Sequence, residues 1–245
     1  MQIFYEFLAP WWPLISPVED YEAEARHYRE LIEARAPAAR TLLELGSGGG
    51  HNAFYLKQRF AMTLSDLSDG MLAVSAKLNP DCEHVRGDMR SLELNRRFDV
   101  VFVHDAIDYM TTEADLEAAL GTAYRHLVPG GLALFVPDHV RERFEPGSEC
   151  GGSDAADGRA VRFLEWTPGL APDAATGTTH YNFLVRSSDG AVQAHHERHE
   201  FGLFSEATWV RLLERRGFEV EITDDDVEGE HTPRLCFFAR RRGGA

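Results

Sequence analysis

From residue 41 to residue 136 short apolar runs alternate with segments whose apolar side chains recur at helical spacing. Residues 42–45, 60–64, 83–86, 98–103 and 132–136 read as strands. The fourth, Phe98-Asp99-Val100-Val101-Phe102-Val103, is apolar on nearly every position, as a parallel strand covered by helices on both faces is. Helices are expected over 51–58, over 69–77 with Ser68 as N-cap, and from a cap at Thr111 or Thr112 through Leu127. In that last helix Glu113 and Glu117 lie near the positive end of the dipole and Arg125 near the negative end. Upstream, Tyr21, Ala25, Tyr28, Leu31 and Ile32 mark a helix over 19–35 that Ala36-Pro37 ends.

The β-α alternation breaks after residue 136. Residues 141–158, rich in Gly, Ser, Asp and Glu, read as a lid-like loop. Three β-like runs follow at 159–167, 179–187 and 191–201, the last two joined by the hairpin signal Ser188-Asp189-Gly190. A helix over 206–216, capped by Ser205 and stopped by Gly217, leads to two last strands at 218–223 and 235–239, with the second able to pair back on the first. The expected class is therefore α/β: a doubly wound, mostly parallel, seven-stranded Rossmann-like sheet with a small antiparallel sheet inserted after strand five. Residues 1–38 form an aromatic cap and helix, 39–137 a ligand-binding core, 138–204 the inserted sheet or lid, and 205–245 the closing helix and strands. The cap carries Phe4, Tyr5, Phe7, Trp11 and Trp12 among Pro10, Pro13 and Pro17, too apolar for a free tail and too broken for a long helix.

Charge narrows the partners. Forty acidic against 25 basic residues leave a formal charge of -15 over 245 residues, which repels a nucleic-acid backbone or an anionic membrane and suits a small or cationic partner. Arg240-Arg241-Arg242 reads as a solvated tail with Gly243-Gly244-Ala245. Cys82, Cys150 and Cys236 are scattered, so neither a disulfide framework nor a zinc site is indicated and a cytoplasmic location is expected. No apolar run approaches the roughly 18 residues a membrane span needs.

The candidate chemistry gathers at strand ends. Thr41-Leu42-Leu43-Glu44-Leu45-Gly46-Ser47-Gly48-Gly49-Gly50-His51 is a buried strand, an acidic residue and a glycine turn opening a helix. Glycines alone leave an ordinary turn open, but Asp66, 20 residues beyond Gly46, ends strand two and Asp88 closes strand three. Such carboxylates suit the ribose hydroxyls and amino group of an adenosine-bearing ligand. A dinucleotide fingerprint needs a third glycine where His51 stands, and no Lys-Ser or Lys-Thr follows to make a phosphate-binding loop.

Together, Glu44-Leu45-Gly46-Ser47-Gly48-Gly49-Gly50, Asp66-Leu67-Ser68 with Met71-Leu72, Gly87-Asp88-Met89, Phe98-Asp99-Val100-Val101 and Pro129-Gly130-Gly131 resemble the class I S-adenosylmethionine-dependent methyltransferases. The resemblance covers roughly 42–136 plus the closing helix and strands. It implies S-adenosyl-L-methionine as cofactor, with Glu44 near its ammonium and Gly46, Ser47 and Gly48 around its methionine moiety. It also implies Asp66 on the ribose, Leu67 and Met89 on the adenine faces, Asp88 on its amino group, and His104 with Asp105 under the methionine end. The stretch His195-His196-Glu197-Arg198-His199-Glu200-Phe201-Gly202-Leu203-Phe204-Ser205 resembles small-molecule members, notably amino-sugar N-methyltransferases of antibiotic biosynthesis, in which an antiparallel sheet roofs the acceptor site.

A neutral amine needs no strong base during methyl transfer, whereas a phenol or alcohol must lose its proton to one. Candidates near the methyl position are His104, Asp105, Asp108, Tyr109, Asp138 and His139; His139 is read as the base, and Asp105 or Asp108 as an ammonium anchor. Of the histidines, His195 and His199 share a strand face that His180 could join, and cross-strand polar pairing is favoured over a metal. Tyr5, Trp11, Trp12 and Tyr21 read as a packed cap, with an aromatic wall around the sulfonium as the second reading. The expected activity is methyl transfer to a small acceptor, on N or O with an amine nitrogen favoured; the alternative is a non-catalytic S-adenosylmethionine-binding or interaction protein on the same fold. Expected partners are an amine or amino sugar, with no nucleic acid, membrane or metal, and a homodimer is compatible.

Overall fold

The computed structural model describes residues 3–225 and 234–243. Three short turns open the chain, α1 (Ile3–Glu6), a 3-10 turn (Ala9–Trp11) and α2 (Trp12–Ile15). The prolines prevent anything longer. The first long helix starts with a 3-10 turn, Val18–Tyr21, and runs as α3 (Glu22–Arg35). Then come β1 (Thr41–Leu45), α4 (His51–Leu56), β2 (Ala61–Asp66), α5 (Asp69–Leu78), β3 (Glu83–Arg86), β4 (Phe98–Val103), α6 (Glu113–Arg125) and β5 (Leu127–Phe135). The expected caps hold: Ser68 Oγ accepts from Met71 N at 3.1 Å, and Thr112 Oγ1 from Asp115 N at 3.1 Å. Leu127, expected to end α6, instead begins β5, which includes Pro129-Gly130-Gly131 and slips register against β4 between Phe98 and Val100.

The segment read as a lid-like loop contains a strand, β6 (Gly147–Gly151), every residue of which is exposed. An edge strand with one neighbour and no core face lacks the apolar alternation by which strands are recognised. With β7 (Ala160–Thr167), β8 (Thr176–Arg186) and β9 (Val192–Gly202) it makes a four-stranded antiparallel sheet, one strand more than expected, in the order β6-β7-β8-β9. Closing the chain are α7 (Glu206–Arg215), β10 (Phe218–Asp225) and β11 (Arg234–Arg241). The main sheet has the order β10-β11-β5-β4-β1-β2-β3, parallel except for β11, which runs antiparallel to both neighbours. Arg240 and Arg241, read as tail, lie in β11 and donate to backbone carbonyls of Gly130, Arg35, Tyr124 and Leu127. Gly244 and Ala245 of that reading lie outside the described residues.

Alternation along the central strands feeds two apolar layers. Leu43, Leu45, Val101 and Val103 face α6 and α7, while Leu42, Val100 and Phe102 face α3 and α4. Glu44 therefore emerges on the α3–α4 side, at the carboxyl end of β1. A third cluster joins the N-terminal strap to the inserted sheet: Phe4 and Leu8 pack with Val161, Phe183 and Val185, and Phe4 stacks on Phe183 at 4.8 Å. The strap also grips the core, where Ser68 Oγ donates to Tyr5 O at 2.8 Å and Gly70 N to Glu6 Oε2 at 3.3 Å. Among the described residues no helix is long and apolar enough to cross a membrane.

Trp209 of α7 is 1 % exposed and stacks on Phe237 of β11 at 4.8 Å. Trp209→Ala is expected to lower unfolding free energy by about 3–5 kcal/mol, the cost of an unfilled aromatic cavity, with the shift read from urea denaturation midpoints.

Candidate active site

At the carboxyl end of β1 the backbone turns through Gly46, Gly48 and Gly50 at φ +75°, +51° and +75°. Side chains would not fit: a Cβ on Gly46 would stand 2.3 Å from Ala106 Cβ, and one on Gly50 2.2 Å from Ser75 Oγ. Gly46 N and Ser47 N both donate to Ser65 O, at 2.7 and 3.0 Å, so the turn is pinned to β2. Glu44 below it is 3 % exposed and its Oε2 has no hydrogen-bond partner among the described residues, as is true of Ser47 Oγ. Burial, partly offset by the His104 charge, pushes the Glu44 carboxyl up to about 8, with Asp66, Glu24 and Asp105 adding to the effect. A buried carboxylate oxygen without a donor is a place for a ligand's donor, and an ammonium would restore the charged form.

Asp66 is fixed by both its oxygens, Oδ2 accepting from Gly48 N and Oδ1 from Ser68 N, each at 2.8 Å. Asp88 takes Arg90 bidentately, with Nη2 to Oδ2 at 2.6 Å, and Arg90 reaches on to Asp115 at 2.9 Å. Leu67 beside them is 59 % exposed, an apolar side chain at the cavity wall with no protein surface to cover. Met89 lines the same cavity, its methyl against Gly46. These donors, carboxylates and apolar faces fit an adenosine bearing an amino-acid group.

The next side chains form a buried ionic network. His104, at the end of β4, meets Asp105 Oδ1 through Nδ1 at 2.5 Å and Tyr28 Oη through Nε2 at 3.1 Å. Burial alone would neutralise the ring, but the charges of Asp105 and Glu24 outweigh it and raise His104 to about 10. Asp105, despite the partial loss of solvent in the cleft, is held at about 2 by His104 and Arg234. Arg234, at the start of β11, donates to Asp225 Oδ2 at 3.1 Å, Glu24 Oε2 at 3.2 Å, Tyr28 Oη at 3.0 Å and Asp138 Oδ1 at 3.3 Å. Tyr28 donates in turn to Asp225 at 2.9 Å.

Lining the same cavity as the glycine turn, His139 Nδ1 lies 2.7 Å from Asp108 Oδ2, which also accepts from His139 N at 3.0 Å. The ring stacks on Phe201 of β9 at 3.9 Å, so its plane is fixed. Burial pushes Asp108 up to about 7; burial works against charge on His139 too, but the Asp108 bond and the nearby carboxylates leave it raised above 6.5. Asp105 and Asp108, expected as alternative ammonium anchors, thus have different surroundings: Asp108 serves His139, while Asp105 faces the cavity with its side chain 48 % exposed. Among the described residues Asp108, Asp138 and His139 have ligand atoms within 4.8 Å of one another, and His139 Nδ1 bonds Asp108 Oδ2 directly. The roof is the inner face of the antiparallel sheet. Glu149, Glu165 and Tyr181 come from it, and a chain runs from Tyr5 Oη to Tyr109 Oη at 2.6 Å and on to His199 Nδ1 at 2.7 Å. His180, which could have joined His195 and His199, pairs across strands with His196 on the outer face, Nδ1 to Nε2 at 3.2 Å, in keeping with the cross-strand polar pairing favoured from the sequence.

Turn, strap, network and roof enclose a cavity of about 1350 Å³ lined by all twelve residues picked out from the sequence as cofactor-binding or catalytic. That exceeds the volume of a usual single-ligand pocket and leaves room for a second molecule. The sequence reading missed Glu24, Arg234, Glu165 and Tyr181. Glu24 had a signal, standing one turn before Tyr28 on the apolar stripe of α3; Arg234 had none.

The methyltransferase-domain family matches residues 42–131. Over 213 residues the chain is 31% identical to dTDP-3-amino-3,6-dideoxy-alpha-D-glucopyranose N,N-dimethyltransferase of Streptomyces fradiae, covering 86% of this chain and 82% of that protein. It is 28% identical to dTDP-3-amino-3,4,6-trideoxy-alpha-D-glucopyranose N,N-dimethyltransferase of Streptomyces venezuelae, covering 86% and 89%. The crystal structure of DesVI from Streptomyces venezuelae superposes with a TM-score of 0.80 at 26% identity over 91% of this chain and 92% of that one. The sugar N-methyltransferase KedS8 from a Streptoalloteichus species gives 0.80 at 25% over 92% and 90%. The chain belongs to the S-adenosylmethionine-dependent methyltransferases, of the type that acts on small molecules. It is an enzyme, with S-adenosylmethionine as cofactor and a small molecule as methyl acceptor, in preference to the non-catalytic alternative.

Two outcomes follow from the ionic network. Arg234→Met leaves Asp225, Glu24 and Asp138 without their shared cation and should cost about 3–5 kcal/mol of stability at neutral pH, measured by urea unfolding. Because the folded His104 titrates near 10, above its ordinary 6.5, its contribution is complete below pH 6.5 and is lost as pH rises through 10. Melting temperature followed over pH 7 to 10 should therefore fall more steeply for the wild type than for His104→Gln.

Proposed function

We propose that the acceptor is an amino sugar, methylated on nitrogen. The observation that carries this reading is the His139–Asp108 pair lining the same cavity as the glycine turn, beside Asp138 and near the Glu165 charge. An amine reaches such a site as an ammonium and must lose a proton before its lone pair can attack. Asp105, charged at every working pH, draws the cation in; His139 takes the proton on the ring nitrogen left free by Asp108, and Asp108 holds the ring in that tautomer. Bound S-adenosylmethionine supplies a methyl group already activated on a sulfonium. Alignment of the amine against it is the rest of the work, and the roof supplies it by excluding water. On the cofactor side we assign Glu44 to the ammonium and Gly46, Ser47 and Gly48 to the methionine moiety. Asp66 takes the ribose, Leu67 and Met89 the adenine faces, Asp88 its amino group, and His104 sits under the methionine end. The named relatives act on dTDP-linked amino sugars and dimethylate them, which favours two successive transfers here.

We also assign a homodimer to the outer face of the four-stranded sheet, where Leu164, Trp166 and Leu184 are 46, 51 and 52 % exposed side by side. A doubly charged Leu164→Glu/Leu184→Glu variant should run as a monomer in light scattering after size exclusion, with the wild type at twice its mass.

The function is tested by incubating the enzyme with S-adenosylmethionine and 3-amino-3,6-dideoxyhexoses and resolving the products by mass spectrometry. N-methyl and N,N-dimethyl sugars are expected; methylation confined to oxygen would refute the reading. His139→Ala should lower kcat by about 10²-fold or more, the usual contribution of a positioned base. Since His139 is raised above 6.5, kcat/KM should climb with pH through a midpoint above 6.5, and Asp108→Asn, which removes the carboxylate that raises it, should move that midpoint to lower pH.

A further inference from the structure

Besides the His139–Asp108 pair, a second hydrogen-bonded line of side chains borders the cavity. Tyr5 on α1, Tyr109 at the end of the 3-10 turn Asp105–Tyr109 and His199 on β9 belong to it. Tyr5 Oη lies 2.6 Å from Tyr109 Oη, and Tyr109 Oη lies 2.7 Å from His199 Nδ1. Beyond His199 stands Glu197, whose Oε2 is 3.6 Å from His199 Nε2 and accepts from Phe4 N at 2.6 Å. Strap, main sheet and roof each supply a member, so the line exists only when all three are in place.

Glu197 fixes the direction in which this line donates. His199 is 3 % exposed, and burial, only partly offset by the Glu197 charge and bond, lowers its pKa, so the ring is neutral with one N–H. A carboxylate only accepts, which puts that proton on Nε2; the other tautomer would set a lone pair against a negative oxygen. Nδ1 therefore accepts from the Tyr109 O–H, and Tyr109 Oη accepts from the Tyr5 O–H. A phenol has a single proton. With it committed to Tyr109, Tyr5 Oη has only lone pairs left to offer a ligand. Burial and the charges of Asp66, Asp105 and Asp138 raise the phenol's pKa, which keeps Tyr5 neutral.

An amine that has given a proton to His139 still carries N–H bonds, and a hydrogen bond to one of them fixes rotation about C–N and with it the direction of the lone pair. A primary amine keeps two N–H groups, either of which can serve. A secondary amine keeps one, so a single rotamer satisfies an acceptor. We propose that Tyr5 Oη accepts the remaining N–H of the substrate amine, that Tyr109, His199 and Glu197 are positioning residues holding it as an acceptor, and that this bond aims the lone pair, above all for the second methyl. The first proton goes to His139; the nitrogen pair then forms the N–C bond while the electrons of the S–C bond stay with sulfur. This rests on the amino-sugar reading above. A tertiary amine has no N–H to give, so the alignment ends with the second methyl, in keeping with relatives named as N,N-dimethyltransferases.

The test compares wild type, Tyr5→Phe and Tyr109→Phe on 3-amino-3,6-dideoxyhexoses, free and dTDP-linked, and on their 3-methylamino derivatives. Both variants keep the aromatic ring, and Tyr109→Phe leaves the Tyr5 phenol in place while releasing its proton. Each should lower kcat by about threefold or more for the amino sugar and about thirtyfold or more for the methylamino sugar, so that monomethyl product accumulates, with S-adenosylmethionine affinity unchanged. Loss of stability alone would lower both rates in proportion. Nitrogen NMR of the cofactor-free enzyme with isotope-labelled histidine, the His199 signal being assigned by its loss in His199→Asn, should show the proton on Nε2 at neutral pH. Equal factors for the two amines, unchanged kcat in both variants, or a His199 proton on Nδ1 would overturn the proposal and leave amino-sugar N-methylation intact. Failure of the wild type to methylate nitrogen in any of these sugars would overturn the amino-sugar reading and this inference with it.

Discussion

Carboxylates gathered in a low-dielectric cleft repel one another, and each would protonate unless something fixed its charge. The carboxyl ends of β1, β2 and β4, together with α3 and β10, bring Glu44, Asp66, Asp105, Glu24 and Asp225 close together, and Asp138 follows β5. Arg234 and the protonated His104 are what make that density tolerable. The guanidinium touches Glu24, Asp138 and Asp225 at once, a geometry its planar fork allows and a lysine's point charge would not. The arrangement leaves Asp105 ionised while Glu44 is pushed up to about 8, two carboxylates of one cleft held in different states by what surrounds them.

The same network ties the fold to the site. β11 is the one antiparallel strand of the main sheet, and the reversal brings its first residue, Arg234, to the edge where the parallel strands end. An opposite direction for that strand would put the guanidinium at the far edge, where Arg240 and Arg241 bond backbone carbonyls instead.

What could be read beforehand follows from this. The parallel core was legible because buried strands, glycine turns and Ser or Thr caps each have a local physical cause, and β3 and β4 fall on the residues expected. The cofactor half of the site was legible for the same reason: Glu44, Asp66 and Asp88 sit at or just beyond the carboxyl ends of three successive strands beside a glycine turn. The acceptor half was read as far as Asp105, Asp108, Tyr109, Asp138 and His139 and no further, because its other members meet through long-range pairing. Glu165 and Tyr181 become neighbours only when β7 and β8 register, and Arg234 reaches Glu24 across 210 positions of chain. The edge strand β6 was missed because nothing buries it, and which face His180 joins is decided by a strand register that alternation alone does not supply.

The strap has a consequence for timing. Trp12 stands where a Cβ on Gly49 would be, 2.6 Å from its indole, while the Tyr5 backbone and Glu6 sit on the start of α5 and Phe4 is stacked into the roof. One short segment thus closes the nucleoside compartment and the acceptor compartment together. Because the same few residues contact both, displacing that segment would open the cofactor side and the acceptor side of the cavity in one movement.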